Sequence, residues 1–443
     1  MPWATAVAYF AAIPCSMHIA VLTHNYPRFP GDFSGSFVAA LSQELARQGH
    51  RVSVLAPWDA AYTVDGQAGP QASHRPQLYL WRYAPRGDWH RLGYMRTMEA
   101  DVRMRRETYW LAPAFFAAGV AAALRWCRRH RPDVIHAHWL LPNGFFGAAA
   151  GRLLGIPLVV SIPGSDALVA GQNPLFRRMA RFALDQAGLV TANSHALQEV
   201  AVRDLGADPA RFDLIIYGVD PGALRPDPTG TAELRASLGV PADALLLLAV
   251  GRMVYKKGFD VLLRSLGVLR QSGLLACSPS PAGPHRLPPI HLALVGDGDL
   301  WQAWQALARD LGLEGCVHWV GRVPFDRIPA YYNAADALVM PSVTRPADGL
   351  NVCVLDAMAC AKPVIGSTAA GNELVIRNGV NGYLIPEQDP AALAGAILRL
   401  AALSPEQRQA MGAAGRRLVE TEFGWPPLAR RYLDHFARLA GQG

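Results

Sequence analysis

The sequence predicts an α/β protein made of two successive doubly wound units, each a parallel sheet flanked by helices. Three observations support this fold class: a length of 443 residues, a hydrophobic content of 51%, and short β-branched or leucine-rich runs that alternate with helical patterns. A chain of this length exceeds one ordinary core, so two domains of about 200 residues each are expected. Because only 17% of the residues are charged, the chain can bury both cores.

The first unit begins with an apolar strand at 18–23, directly after Met17. A helix follows in which Phe37, Leu41 and Leu45 share one face, and Gly49 can end it. The remaining strands expected in this half are 51–56, 133–138, 157–162, 189–192 and 213–217. This pattern indicates an N-terminal Rossmann-like domain over residues 17–220.

The second unit repeats the alternation after a break rich in proline and glycine at 220–230. Its expected strands are 245–250, 290–295, 316–320, 337–340 and 363–366. We therefore expect a second Rossmann-like domain over 229–425 and a terminal helix over 426–443 that packs back toward the first domain. In open parallel sheets ligands bind beyond the carboxyl ends of the strands, so two such domains are expected to face a central cleft. Residues 277–289 read as a surface insertion.

The spacing of the cysteines and the length of the apolar runs indicate the cellular compartment in which the protein is expected. The six cysteines show no CxxC or Cys/His metal spacing, which predicts reduced thiols in a cytosolic protein and no metal site. The apolar run at 110–124 is shorter than the roughly 20 residues that span a bilayer, and it contains Pro113. No membrane-spanning segment is therefore expected.

One short stretch, "ADGLNVCVLDAMA" at 347–359, places two carboxylates near one helix end. If 352–360 is a helix, Asp348 lies in the loop ahead of it and Asp356 on its second turn, so both can point toward one ligand. The backbone amides of Gly349, Leu350 and Asn351 lie at the helix N-terminus, where the helix dipole favours negative groups. The alternative is a helix-end charge and a buried, capped acid without a ligand.

Five stretches of the second half carry a family resemblance: "VGRMVYKKGFDVLLRS" (250–265), "LVGDGDL" (294–300), "VGRVPFDRIPAYYNAADALVMPS" (320–342), "DGLNVCVLDAMACAKPVIGS" (348–367) and "GVNGYLIP" (379–386). The first half adds "YPRFPGDFSGSFVAALSQELARQGHRVSVLAP" (26–57) and "RPDVIHAHWLLPNG" (131–144). Together they resemble retaining glycosyltransferase family 4, the glycosyl transferases group 1. Members of this family have the two-domain GT-B fold and move a sugar from a nucleotide-diphosphate donor. The resemblance implies that residues 17–220 form the acceptor-binding domain and residues 229–425 the nucleotide-sugar donor-binding domain.

The resemblance implies where the donor would bind. It assigns catalytic roles to Asp348, Arg252 and Lys257, with Asp348 contacting the transferred sugar and Asp356 accepting hydrogen bonds from ribose hydroxyls. The full set of implied donor-binding residues is Arg252, Lys257, Asp348, Gly349, Leu350, Asn351, Asp356, Gly35, Arg322 and Val323. No cofactor is implied, because the nucleotide sugar is a substrate.

Residue chemistry supports part of this assignment independently. Arg252 and Lys257 follow the strand that ends at Val250, where a parallel sheet presents its ligand, and fixed cations there can grip a diphosphate from two sides. A solvated surface pair is the alternative reading of the same two residues. The chain contains neither GxGxxG nor GxxxxGK[ST], which argues against a dinucleotide oxidoreductase and a P-loop NTPase.

The chain also departs from the family pattern. The family usually has glutamate at the positions of Asp348 and Asp356, and each aspartate retracts its carboxylate by about 1.5 Å. Pro163 occupies a position where histidine is common, and Ala370-Gly371 replaces a glycine pair. His136 and His138 are read as mainly structural. These departures keep open a second hypothesis, a nucleotide-sugar-binding protein of the same fold with little turnover.

The net charge of +7 is concentrated between Arg75 and Arg131, where arginines alternate with tryptophan and tyrosine. Such a surface suits peripheral attachment to an anionic membrane on its cytoplasmic side, where a lipid-linked acceptor would be met. A solvated helix face explains the same charges equally well. Nucleic acid is not an expected partner, because no recognition module accompanies the charge. The favoured function is transfer of a hexosyl group from a nucleotide sugar to a glycan or lipid-linked acceptor.

Overall fold

The protein is represented by a computed structural model that describes residues 16–63, 75–94, 98–99, 103–104, 106–164, 166–276, 287–344 and 349–441. Within these ranges the chain forms a seven-stranded and a six-stranded sheet, one in each half. Every strand pair in the two sheets is parallel.

In the first half, strands alternate with helices. The strands described there are β1 (His18–Leu22), β2 (Arg51–Pro57), β3 (Gln77–Trp81), β4 (Met98–Glu99), β5 (Arg103–Met104), β6 (Val134–His138), β7 (Leu158–Ile162), β8 (Leu189–Ala192) and β9 (Phe212–Leu214). The helices are α1 (Ser36–Arg47), α2 (Arg106–His130), α3 (Phe145–Leu154), α4 (Asp166–Gln172), α5 (Pro174–Gln186) and α6 (His195–Leu205).

The first sheet has the strand order β3-β2-β1-β6-β7-β8-β9, and β4 pairs with β5 separately. Strand β1 pairs with β2 on one side and with β6 on the other. From β1 the chain moves outward through β2 and β3, then returns to build the other half of the sheet from β6. The switch point of this sheet, where open α/β sheets bind ligands, therefore lies between β1 and β6.

The second half repeats this plan. Its helices and strands are α7 (Thr231–Ser237), β10 (Leu245–Val250), α8 (Phe259–Gln271), β11 (Ile290–Val295), α9 (Trp301–Asp310), β12 (Val317–Gly321), α10 (Ile328–Ala334), β13 (Ala337–Met340), α11 (Val352–Ala359), β14 (Val364–Ser367), β15 (Gly382–Ile385), α12 (Pro390–Ala402), α13 (Pro405–Leu418) and α14 (Trp425–Leu439).

The second sheet has the strand order β12-β11-β10-β13-β14-β15. Strand β10 pairs with both β11 and β13, so the switch point of this sheet lies between β10 and β13. Residues Leu245 to Ala249 of β10 are all buried, because helices cover both faces of a parallel sheet. This explains why the strand reads as a continuous apolar run.

The last helix, α14, returns to the first half of the chain. Its Tyr432 hydroxyl lies 3.2 Å from the Thr191 hydroxyl on β8, and His435 Nε2 lies 2.7 Å from a carboxylate oxygen of Asp213 on β9. Phe436 is fully buried in the same apolar cluster as residues of β1, β6 and β7. Helix α14 thus completes one face of the first sheet.

Several predicted boundaries differ from the structure. Strands β3 and β15 were not predicted, because β3 is half-buried throughout at the sheet edge and β15 begins at a glycine. The last strand of the first half is Phe212–Leu214, shorter than the expected 213–217. The insertion lies mostly outside the described residues.

The apolar run at 110–124 is longer than predicted, because Pro113 lies inside α2 without ending it. By length and composition alone, the 21 residues Trp110–His130 are long and apolar enough to cross a membrane, and they are the one such stretch among the described residues. One side of α2 packs into the first-half core through Phe115, Ala123 and Cys127.

The expectation of reduced thiols holds for Cys127, Cys353 and Cys360, which are buried free cysteines. It is wrong for Cys316, which is disulfide-bonded.

Candidate active site

The loop after β10 carries Arg252 and Lys257 at the switch point of the second sheet. Residues Tyr255–Lys257 form a single 3₁₀ turn that ends at Gly258, whose φ is 68°. A Cβ atom on Gly258 would lie 1.9 Å from the carbonyl oxygen of Pro341, so only glycine lets this loop approach the end of β13 so closely. In this arrangement Arg252 is exposed and Lys257 is half-buried.

A hydrogen-bonded chain links Lys257 to the start of α11. The Lys257 ammonium group donates to the side-chain oxygen of Asn351, and the Asn351 amide donates to the Ser342 hydroxyl at 2.8 Å. Asn351 is 7% exposed and directly precedes α11. The ammonium group is therefore held at a helix N-terminus, where two sources of positive potential coincide and an anion is favoured.

The two halves of the chain touch beside this helix end. The Leu350 amide donates to the carbonyl oxygen of Asn193, at the end of β8, over 3.3 Å. A Cβ atom on Gly349 would lie 2.1 Å from the Asn193 side-chain oxygen, and one on Gly371 would lie 2.7 Å from the Asn193 carbonyl oxygen. Because Gly349 and Gly371 lack a side chain, Asn193 of the first half can pack directly against the second half. The sequence analysis did not identify Asn193. It predicted that the Leu350 amide would face a ligand, but this amide donates its hydrogen bond to the Asn193 carbonyl oxygen instead.

Of the two carboxylates in the 347–359 stretch, the structure describes the environment of Asp356 alone. Asp348 lies outside the described residues, so its role stays a prediction. Asp356 lies on α11, is 9% exposed, and accepts a hydrogen bond from the Tyr332 hydroxyl at 3.3 Å. Burial raises the pKa of Asp356 from 3.8 to about 7, although the Tyr332 hydrogen bond acts in the opposite direction.

Arg322 and Val323 follow β12, two strands away from β10 in the second sheet. Arg322 is exposed and Val323 is half-buried. At about 4.8 Å per strand, this position lies roughly 10 Å from the Arg252 loop, a distance suited to another part of an extended ligand.

The "GDG" stretch at 296–298, beyond the end of β11, supports the Arg252 loop. A Cβ atom on Gly296 would lie 1.9 Å from the Gly251 carbonyl oxygen. The Met253 amide donates to the Asp297 carbonyl oxygen at 2.7 Å, so the ends of β10 and β11 support each other. This signal was available in the sequence as a pair of glycines beyond a strand.

On the first-half side, Gly35 begins α1 with φ 68°. A Cβ atom there would lie 2.0 Å from the Asn25 carbonyl oxygen, so glycine lets the loop after β1 fold closely onto the helix start. Gly35 is thus beyond the carboxyl end of β1, on the edge of the first sheet that carries its switch point.

The structure also shows the backbone conformation and hydrogen bonds at positions that depart from the family pattern. The Pro163 carbonyl oxygen accepts a hydrogen bond from the Asn193 side-chain amide at 3.1 Å. Ala370 adopts a left-handed backbone with φ 55°, a conformation that suits the glycine it replaces. His136 and His138 are fully buried, and His136 Nε2 lies 2.7 Å from the Ser161 hydroxyl.

Comparisons with known proteins identify the family of the chain. Residues 244–402 match the family model described as glycosyl transferases group 1, and residues 34–223 match glycosyltransferase family 4. D-inositol 3-phosphate glycosyltransferase 2 of Catenulispora acidiphila is 31% identical over 348 residues, covering 74% of this chain and 76% of that protein. The corresponding Streptomyces griseus protein is 30% identical and covers 72% of this chain and 70% of its own length.

Solved structures share the whole fold. HepE of Anabaena in complex with UDP superposes with a TM-score of 0.68 at 20% identity, covering 95% of this chain and all of that chain. Sucrose-phosphate synthase of Thermosynechococcus elongatus gives a TM-score of 0.70 at 22% identity, covering 96% of this chain and all of that chain. The predicted GT-B fold, two doubly wound domains facing a central cleft, is thereby confirmed.

The fold, the two family models and the curated relatives together define a two-domain transferase, and in this chain the second domain presents Arg252 and Lys257 at its switch point. The chain belongs to the group 1 glycosyltransferases of the family 4 type.

Proposed function

We propose that the protein transfers a hexosyl group from a nucleotide-diphosphate sugar to an acceptor in glycan, exopolysaccharide or glycolipid assembly, with retention of configuration. The observation that carries this proposal is the placement of Lys257 at the N-terminus of α11, in the same loop after β10 that carries Arg252. A diphosphate leaving group gains negative charge as its bond to the sugar breaks, so fixed cations lower the barrier. The HepE structures with UDP and with UDP-glucose support a nucleotide sugar as the donor.

In this proposal the donor lies across the second sheet. Arg252 and Lys257 bind the diphosphate, Asp356 accepts hydrogen bonds from the ribose, and Asp348 contacts the transferred sugar. Arg322 and Val323 lie toward the base, and Gly35 brings the start of α1 toward the diphosphate from the first domain.

The proposed reaction is a front-face substitution. The bond from the anomeric carbon to the diphosphate oxygen breaks, the acceptor oxygen bonds to the same face of that carbon, and the leaving diphosphate takes the acceptor proton. The proposal includes no metal and no organic cofactor.

The test is turnover by the purified full chain with UDP-glucose, ADP-glucose, GDP-glucose and GDP-mannose. Release of the nucleoside diphosphate should occur with at least one donor, and proton NMR of the product should show the anomeric configuration of the donor. Lys257→Ala should lower the release. Absence of both binding and release for all donors would contradict the proposal.

The second candidate, a nucleotide-sugar-binding protein with little turnover, is supported by Pro163 and by Asp356. Pro163 offers no side-chain hydrogen bond, and the carboxylate of Asp356 is already bonded to Tyr332. Tight donor binding without measurable release would favour this candidate over the enzyme.

We further propose a cytoplasmic location with peripheral contact to an anionic membrane. The support is on α2, where Trp110 is 88% exposed and Arg125, Arg128 and Arg129 are exposed on the same helix. Flotation with vesicles containing phosphatidylglycerol should recover the protein, and phosphatidylcholine vesicles should not. Trp110→Ala should lower the recovery, whereas Tyr255→Ala in the second domain should not. Recovery with neither lipid would leave the helix face as a solvated one, and equal recovery with both lipids would contradict the preference for an anionic surface.

A further inference from the structure

The chain passes between its two halves twice, and the two crossings lie side by side. Val219 of the first crossing and Gly424 of the second form an isolated parallel bridge. The Val219 amide donates to the Phe423 carbonyl oxygen at 3.0 Å. Any rotation of one half relative to the other must therefore bend the backbone at these two crossings.

In the first crossing, the apolar contacts change from one core to the other within a few residues. Ile215 is buried in the cluster that contains the first sheet and α14, whereas Ile216 and Val219 are buried in the cluster of the second sheet. A Cβ atom on Gly218 would lie 2.7 Å from the Trp425 ring of the second crossing. Because Gly218 has no side chain, the two crossings can pack directly against each other.

Beyond this boundary, the linker is folded against the second half. The Leu224 amide donates to the Asp220 carbonyl oxygen at 2.9 Å, which closes a turn. Farther along, the Asn333 side chain on α10 donates to the Arg225 carbonyl oxygen at 3.1 Å and accepts from the Asp227 amide at 3.0 Å. Most of the break that the sequence predicts at 220–230 is therefore attached to the second half and does not act as a flexible tether.

Arg416, near the end of α13, binds this turn. Its guanidinium group donates to the carbonyl oxygens of Pro221 at 3.1 Å and Leu224 at 3.3 Å. The same group donates to the carbonyl oxygen of Ala359, the last residue of α11. Its Nε lies 2.8 Å from a carboxylate oxygen of Glu420. One side chain thus joins the linker to the helix whose N-terminus carries the proposed diphosphate site.

The chemistry of an arginine suits this position. The last carbonyl groups of a helix lack partners within the helix, and the helix dipole is negative there, so a cation at the end of α11 is favoured. Helix α13 can approach because a Cβ atom on Gly412 would lie only 1.9 Å from the Ala361 carbonyl oxygen. The forked guanidinium group of Arg416 reaches acceptors on separate segments, which the single ammonium group of a lysine cannot match. Its side chain is 23% exposed, so water competes little for these bonds.

The orientation of the two halves matters for group transfer. The family resemblance implies that the donor binds in the second half and the acceptor in the first. Reacting atoms must lie about 3 to 3.5 Å apart, and a displacement of about 1 Å can lower the rate about a hundredfold. The angle at which α11 is joined to the crossings therefore affects the distance between donor and acceptor.

We propose that Arg416 is a positioning residue for the transfer reaction. By joining α11 to the linker, it fixes the orientation of the second half relative to the first and leaves the bending to the crossings at Gly218 and Gly424. This inference rests on the proposed function, since it concerns the alignment of donor and acceptor in the same transfer. In this proposal Arg416 itself touches no substrate.

Double electron–electron resonance on the full chain measures the orientation of the halves directly. Spin labels on ketone-bearing amino acids incorporated at positions 153 and 380, which are exposed in the first and second halves, avoid the native cysteines. Arg416→Met removes every donor of the guanidinium group and should broaden the distance distribution about twofold, because the linker gains freedom. Arg417→Met is the matched control, since it removes the same charge from an exposed neighbour, and it should keep the width of the wild type.

A second variant keeps this test decisive if Arg416→Met does not fold. Arg416→Lys retains the positive charge but not the forked set of donors, so it should also broaden the distribution. Thermal unfolding of each variant checks that it is folded. A distribution as narrow as that of the wild type in the folded Arg416 variants would overturn the proposal, and so would equal broadening in Arg417→Met.

Kinetics distinguish positioning from donor binding. Arg416→Met should lower kcat with the preferred donor about tenfold or more and leave the Kd of the nucleoside diphosphate within about threefold, because most of its proposed contacts lie in the second half. Guanidinium chloride at a low, non-denaturing concentration should restore part of the activity, and sodium chloride at the same concentration should not. An equal loss of affinity and of kcat, or no recovery with guanidinium, would contradict the assigned role.

The spin-label measurement separates this inference from the proposed function, because it requires no turnover. If the protein neither binds nor cleaves a donor, the proposed function fails. The distance distributions of the wild type and the Arg416 variants then still decide whether Arg416 orients the two halves.

Discussion

The ammonium group of Lys257 donates a hydrogen bond to the side-chain oxygen of Asn351, and these two residues lie in the loops that follow two neighbouring strands, β10 and β13. The bond positions the lysine at the N-terminus of α11 before any ligand arrives. A diphosphate would therefore meet a cation that is already oriented, which reduces the conformational entropy lost on binding.

Replacing either Arg252 or Lys257 with alanine should weaken the binding of UDP or the preferred nucleoside diphosphate by about 1.5 to 3 kcal/mol, as for lost charge-assisted hydrogen bonds. Isothermal titration calorimetry measures the change. Arg264→Ala is the control, because it removes one positive charge from an exposed position on α8. Unchanged affinity in both variants would remove the two residues from the site.

Asp348 and Asp356 should respond differently to truncation. Asp356→Ala should weaken both the bare nucleotide and the sugar donor, because ribose does not react. Asp348→Ala should leave nucleotide affinity nearly unchanged and lower turnover, since contact with the reacting sugar acts mainly in the transition state. Calorimetry and steady-state kinetics on the same preparations test this. Equal affinity and equal turnover in wild type and both variants would contradict the assignment.

The stability of the protein should depend on the ionisation of Asp356. Its pKa of about 7 in the fold exceeds the ordinary 3.8, so between about pH 4 and 7 the unfolded chain has lost this proton while the folded chain keeps it. This difference lowers the free energy of unfolding as pH rises through that range. Asp356→Asn removes it, so the variant should become more stable relative to wild type as pH rises.

Urea unfolding of both proteins at pH 5.0 and pH 7.5 measures this relative change. The contributions of all other titratable groups to the free energy of unfolding are the same in both proteins and cancel in the difference. A constant difference between the two proteins at both pH values would show that Asp356 is ionised throughout the range.

Ala370→Gly should stabilise the protein. The backbone of Ala370 has a φ of 55°, where a Cβ atom costs about 1 kcal/mol and glycine does not. Because glycine also adds freedom to the unfolded chain, the expected net gain is about 0.5 kcal/mol in urea unfolding. The neighbouring Ala369→Gly, at a residue without positive φ, should lose stability instead. A loss in both variants would refute the strain at Ala370.

The contact between Asn193 and Gly349 should couple the two domains. Gly349→Ala places a methyl group about where the Asn193 side chain now lies, so it should lower donor turnover about tenfold. Asn193→Gly in the same chain provides space for that methyl group and should recover part of the loss. Additive effects of the two substitutions, measured by steady-state kinetics, would indicate that the contact does not couple the domains.

The sequence was informative wherever one local pattern decides the structure. Leu245–Val250 and Ala337–Met340 were predicted with their observed bounds, because a strand buried on both faces is a continuous apolar run between breakers. The motifs that resemble the family likewise placed the loop after β10 and helix α11 at their observed positions in the chain. Edge strand β3 lacks this pattern, since it is only half-buried.

Contacts between distant parts of the chain could not be predicted in this way. The Lys257–Asn351 bond joins residues 94 positions apart, and the approach of Asn193 to Gly349 depends on how two domains meet. Neither glycine 349 nor glycine 371 differs locally from the glycines of ordinary turns.

Helix α14 affects how this protein can fold during synthesis. Val134, Val159 and Leu189 of the first sheet share one apolar cluster with Leu428 and other residues of α14. On the ribosome, that face of the first domain has no cover until α14 emerges, after the entire second sheet has been made. The first sheet is therefore synthesised before the second sheet, yet it cannot bury this face until after the second sheet has been synthesised.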